Sequence, residues 1–104
     1  MKMAKTLEGL LSMAQRAGKV ASGGFVVEEA VAKGKAELIL IASDSAAETK
    51  EKFSGLAEKH NIKAYEVLDK DRLGQCLGKE FRAVAALLDK GFSKEAEKRI
   101  ISEQ

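Results

Sequence analysis

Apolar residues at Leu7, Leu10, Leu11 and Ala14 recur three and four positions apart, which is the stripe of one helix face. Arg16 suits the carboxyl end of that helix, where a cation meets the negative end of the dipole, and Gly18 is a natural stop. Lys19 to Ser22 then reads as a short extended piece. Gly23 and Gly24 lead into a helix of about three turns over Phe25–Lys33, closed by Gly34.

Leu38 to Ile41 is an unbroken apolar run rich in branched residues, too short for a helix core and bounded by polar residues. It predicts a strand buried on both faces and covered by helices. Ala42-Ser43-Asp44 brings the chain out at the carboxyl end of that strand, the edge where helix-flanked sheets usually bind ligands. Ser45 to Glu48 has the capping-box pattern and predicts a helix with Phe53, Leu56, Ala57 and His60 inward and Asn61 as a left-handed stop. Ala64–Leu68 predicts a further strand. Asp69 then caps a short helix that turns Leu73, Cys76 and Leu77 inward and ends at Gly78. Phe81–Leu88 fits a helix or a strand. Its place between a glycine stop and an Asp89-Lys90-Gly91 turn selects the strand, and Ser93 is expected to cap a last helix through Ser102.

Strands alternating with helices predict an α/β fold, a three-layer α-β-α sandwich. At 104 residues the chain is expected to form one domain, spanning 1–104, and it shows no repeat, linker or low-complexity stretch.

Composition adds exclusions. Apolar residues make up 45% of the chain, an ordinary globular share. The formal net charge is only +2, so any cationic surface must come from local placement. The single cysteine, Cys76, cannot close an internal disulfide, which fits a reducing cytoplasm. The amino terminus has no continuous apolar run of the signal-peptide kind, and no segment is long enough to cross a bilayer. A cytoplasmic protein without a membrane role is the expectation.

The titratable residues do not assemble a catalytic pattern. His60 falls on a helix flank, and Cys76 on an inner helix face, where a thiol is usually inert. No histidine and cysteine spacing resembles a zinc site. Ser43, Asp44 and Ser45 lack a second base, and Asp44 lacks the companion carboxylates that a phospho-acceptor aspartate needs around Mg²⁺. These residues read as turn and cap residues. No cofactor, metal or small-molecule substrate is expected.

Ser22-Gly23-Gly24 is the candidate for contact with an anion. Amides at a helix start point outward, the dipole favours negative charge, and the missing side chains allow close approach. Glu28 and Glu29, early in the same helix, would oppose a phosphate if they faced it. Lys79 and Arg82 flank the loop before the last strand, and Arg16 and Lys19 flank the loop after the first helix. Gathered beside Gly23-Gly24, such cations would supply phosphate contacts. Phe25 is either a core residue or an exposed ring able to stack on a splayed base.

Leu11 to Lys19, Ser22-Gly23, Ala42-Ser43-Asp44, Leu73 to Gly78 and Asp89 to Phe92 together resemble YlxQ-type bacterial proteins. These are a ribosomal-protein-like family within the kink-turn-binding ribosomal protein superfamily. The resemblance covers nearly the whole chain and keeps the order of the segments. It implies a sandwich around a four-stranded mixed sheet, and RNA, ribosomal or otherwise structured, as the partner. It also implies that the turn Ser22 to Phe25 and the loop Gly78 to Arg82 meet the RNA, the first at the sheared G·A pairs of a kink-turn and the second at a flipped-out nucleotide. Lys19, Ser22, Gly23, Gly24, Phe25, Lys79 and Arg82 are the expected contact residues, with Lys33 adding phosphate attraction. Phe25 and Val26 stand where relatives carry polar readers, and Glu29 where they carry a lysine. The alternative is a protein-interaction module that keeps the fold and uses Phe25 and Val26 as an apolar patch.

Overall fold

Residues 4–103 are described by the structure, a computed structural model. Helices and strands alternate along them as α1 (Leu7–Arg16), β1 (Val20–Ser22), α2 (Gly24–Ala32), β2 (Leu38–Ala42), α3 (Ala47–Lys59), β3 (Lys63–Val67), α4 (Lys70–Cys76), β4 (Val84–Leu87) and α5 (Lys90–Ser102). The strands form one four-stranded sheet in the order β1-β4-β2-β3. β2 and β3 are parallel, while β4 runs antiparallel to both β1 and β2, so the sheet is mixed.

All five residues of β2 are buried, which explains the unbroken apolar run. Leu38, Leu40 and Ala42 point to one face and pack with Leu10 and Leu11 of α1, Leu73 of α4 and Ile100 of α5. Ile39 and Ile41 point to the other and pack with Val27 and Val31 of α2 and Phe53 of α3. Two cores of branched side chains on the two faces make the three expected layers.

Register fixes which loops are neighbours. Ser22 lies opposite Ala85, and Val20 opposite Leu87. The amide of Ala42 donates to the carbonyl of Ala83 at 2.8 Å, and that of Ser43 to Leu68 at 2.8 Å. One end of the sheet therefore gathers the exits of β1, β2 and β3 and the entry of β4. The opposite end gathers the entries of β1 and β2 with the exit of β4.

Several local expectations are corrected. Ser45 does not cap α3: its buried hydroxyl donates to the carbonyl of Ala83, and the helix starts one residue later behind Ala46, which offers no side-chain cap. Asp44 caps a different helix, its Oδ1 accepting from the backbone N–H of Lys70 at 2.9 Å. His60 is exposed and terminates α3 rather than facing inward. Asp89, not Ser93, caps α5, because its carboxylate accepts from the Phe92 amide and holds the chain helical through Gly91. Ser93 lies buried inside that helix. Phe81 and Arg82 lie outside β4, which begins only at Val84. Asp69 and Asn61 take their expected roles as cap and left-handed stop.

Candidate functional site

The end of the sheet where β1 exits and β4 enters carries the candidate site. β1 stops at Ser22 because Gly23 adopts φ 94°, ψ 149°, a conformation open essentially to glycine alone. The amide of Gly23 donates to the carbonyl of Val84 at 3.0 Å, so the turn into α2 is tied to the first residue of β4. α2 then begins at Gly24 with no side-chain cap and no acidic residue in its first turn. The amides of the first helical turn lack intrahelical partners by construction and here point outward unmatched by a capping side chain. By contrast, Thr6, Asp69 and Asp89 cap α1, α4 and α5.

Two aromatic rings stand exposed at this end. Phe25, the second residue of α2, is 78% exposed, and Phe81, in the loop before β4, is 56% exposed. Val26 adds a further apolar surface at 46%. The sequence pattern assigns Phe81 to the start of the last strand and so does not single it out, whereas the structure leaves it in the loop before β4. The available signal was its setting, a lone aromatic among Lys79, Glu80 and Arg82 just after Gly78.

The loop that carries Phe81 is held against α4. The amide of Lys79 donates to Gly74 at 2.8 Å and that of Arg82 to Lys70 at 3.0 Å. Gly74 has no side chain because the Phe81 backbone occupies the space where one would sit. The guanidinium of Arg82 folds back on the loop: one Nη donates to the Phe81 carbonyl at 2.7 Å, and its Nε is buried with no partner. Arg82 therefore stiffens the turn besides carrying charge. Lys79 is exposed and faces Arg16 across a hollow of about 440 Å³ between the ends of α1 and α4.

Neither glutamate of α2 opposes an anion with a free charge. Glu28 pairs with Lys52 of α3 at 3.0 Å, and Glu29 with Lys33 at 3.6 Å. Lys79, Arg16 and Arg82 enter no ion pair among the described residues.

Lys79 lines the hollow beside Arg16, while Ser22, Gly23, Gly24, Phe25 and Arg82 are set at this end of the sheet. Lys19 and Lys33 are not. Lys19 precedes β1, its carbonyl accepting from Leu88 beyond the far end of β4, and Lys33 follows α2 at that same far end. Three residues of intervening strand separate Lys19 from the turn it was expected to serve.

Burial raises the Cys76 thiol to about 11, the condition of an inert side chain. Among the described residues, no cluster of three His, Cys, Asp or Glu side chains could hold a metal ion. No helix there is long and apolar enough to cross a membrane.

The ribosomal protein L7Ae/L30e/S12e/Gadd45 family matches residues 5–97. The chain belongs to this family. Among its relatives is the RNA-binding protein YlxQ of Bacillus subtilis (strain 168), 33% identical over 84 residues, which span 81% of this chain and 84% of that protein. The RNA-binding protein YlxQ of Enterococcus faecium is 28% identical over 91 residues, 88% of this chain and 87% of that one. A protein of unknown function from Bacillus halodurans C superposes with a TM-score of 0.88 at 33% identity, covering 94% and 98% of the two chains. The Giardia lamblia 15.5kD RNA binding protein superposes with a TM-score of 0.74 at 18% identity, covering 98% and 92%, and shows the shared fold.

Proposed function

We propose that the chain is a non-catalytic, ribosomal-protein-like RNA-binding protein whose described residues act as one RNA-binding domain on structured, kink-turn-like or otherwise irregular RNA. The observation that carries this is the union, through the Gly23–Val84 hydrogen bond, of an uncapped helix start and a loop tip, each bearing an exposed phenylalanine. The naming of its YlxQ relatives as RNA-binding supports the same partner class.

The division of labour follows from the chemistry. Amides of the first turn of α2 donate to phosphate or base oxygens, and the absence of a side chain at Gly23 and Gly24 lets the RNA come close. Phe25 and Phe81 stack on unpaired bases. Every base has a π-face, so such stacking tolerates sequence and favours single strands, bulges and flipped-out nucleotides over a plain duplex. Lys79, Arg16 and the outer edge of Arg82 attract phosphates. With Phe25 and Val26 in place of polar readers, shape and stacking outweigh base-edge hydrogen bonds in recognition. Ribosomal RNA offers bulged, kinked elements of this kind.

Titration with a kink-turn RNA, a plain duplex and a single strand at two salt concentrations tests the proposal. The kink-turn and the single strand should bind more tightly than the duplex, and Phe25→Ser and Phe81→Ser should each weaken them. Lys79→Ala should reduce the slope of log K against log salt by about 1. Equal affinity for the duplex, or indifference to both phenylalanines, would overturn it. The exposed Phe25 and Val26 also suit a protein partner; association blocked by Phe25→Ser, with no RNA binding at low salt, would select that reading instead.

A further inference from the structure

The far end of the sheet has its own cationic hollow. There the start of β1, the end of β4, the end of α2 and the start of α5 meet around a depression of about 570 Å³ rimmed by Lys19, Lys35 and Lys90. A second hollow of about 180 Å³ adjoins it, sharing Glu37 and Lys90 and adding Lys63, Ser93 and Lys94. The five lysines of this end face three carboxylates, Glu37, Asp89 and Glu97.

Two of those carboxylates are engaged. Glu97 accepts from Tyr65 and Lys63, and Asp89 caps α5 through the Phe92 amide. Lys19, Lys35, Lys90 and Lys94 enter no ion pair among the described residues. Gly18 and Gly34, both at φ +72°, leave backbone bare beside Lys19 and Lys35, with no atom within 4 Å of where a Cβ would lie. In the smaller hollow, Ser93 is only 9% exposed and its Oγ, shielded from solvent, has no hydrogen-bond partner. A buried hydroxyl is ordinarily paired, and this one belongs to the smaller hollow, beside Lys63, Lys90, Lys94 and the carboxylates of Glu37 and Glu97. The unpaired ammonium groups of Lys19, Lys35 and Lys90 around the larger hollow suit an anionic oxygen able to accept from more than one lysine Nζ.

We propose that the larger hollow, rimmed by Lys19, Lys35 and Lys90, is a second phosphate site, which holds the backbone of the bound RNA at a segment remote from the one gripped at the α2 turn. The proposal rests on the RNA-binding reading above and adds that the protein spans its RNA across the length of the sheet, on the order of 15 Å for a five-residue strand.

The test uses the full chain with two RNAs, a short one that fills only the α2 turn and a long one that reaches both ends. Lys19→Ala, Lys35→Ala and Lys90→Ala combined should weaken the long RNA at least tenfold and reduce its salt slope by about 2. The short RNA should bind that variant as it binds the wild type. Glu37→Gln should tighten the long RNA by removing the opposing charge. An unchanged slope for the triple variant, while Phe81→Ser still weakens the long RNA, would overturn the second site and leave the first standing. Failure of the wild type to bind either RNA would overturn both.

Discussion

A Cβ on Gly74 would lie 2.4 Å from the Cα of Phe81. The space between the middle of α4 and the loop before β4 is therefore filled by backbone, and the exposed ring of Phe81 is displayed by a glycine seven residues earlier. Gly74→Ala should push the loop away, with an overpacking cost of about 1–3 kcal/mol. Urea denaturation should show the lower midpoint. RNA affinity measured well below that midpoint should also fall, because Phe81 and Arg82 move together.

Gly23 and Gly24 should respond differently to alanine. At Gly23 nothing would touch the new methyl group, but φ 94° strains any L-residue, at a cost of about 1–3 kcal/mol. At Gly24, a Cβ would meet the Phe53 ring at 3.4 Å in a helical conformation that alanine favours. Denaturation should show Gly23→Ala markedly less stable and Gly24→Ala within about 0.5 kcal/mol of the wild type.

Tyr65 and Glu97 form a pH-bounded contact between β3 and α5. The Tyr65 hydroxyl donates to Glu97, which also receives Lys63, and these bonds hold the Glu97 carboxyl below its ordinary 4.5. Its stabilisation is present above that value and is lost as pH falls through the lower folded value. The Tyr65 hydroxyl is raised above 10.0, first by the same bond, so its contribution is present below that value and disappears as pH rises through the folded one. Tyr65→Phe should cost about 1 kcal/mol at neutral pH. Its difference from the wild type, followed by urea denaturation against pH, should shrink at both extremes.

Cys76 should be nearly unreactive. Its thiol is half-buried, donates to the Leu73 carbonyl and is pushed up to about 11. At pH 8 a thiol reagent should label the folded protein far more slowly than the urea-unfolded chain, as thiolate is the reacting form. Equal rates would contradict the packing of α4 against α1.

The layers of the fold were legible because burial leaves a period in the sequence. The stripe Leu7, Leu10, Leu11, Ala14 became the inner face of α1, and the run from Leu38 to Ile41 became a doubly covered strand. Local capping was less legible, since it depends on competition among neighbours. Ser45 resembled a cap but was drawn to the Ala83 carbonyl, and Gly91 resembled a turn although Asp89 had already started α5. Chain proximity also misled. Lys19 stands four residues before Gly23, yet an extended strand carries a chain its full length, so the two lie at opposite ends of the sheet. Only the pairing of β1 with β4 brings Gly23 to Val84, three residues beyond Phe81, and no local pattern encodes that pairing.

The most direct test is to follow backbone amide resonances while a kink-turn RNA is added to the full chain at low salt. Shifts concentrated at Ser22–Phe25 and at residues 79–82, appearing together at one RNA concentration, are the expected result. Shifts at only one of the two segments, or confined to surfaces away from both, would contradict a single grip shared by the glycine turn and the phenylalanine loop.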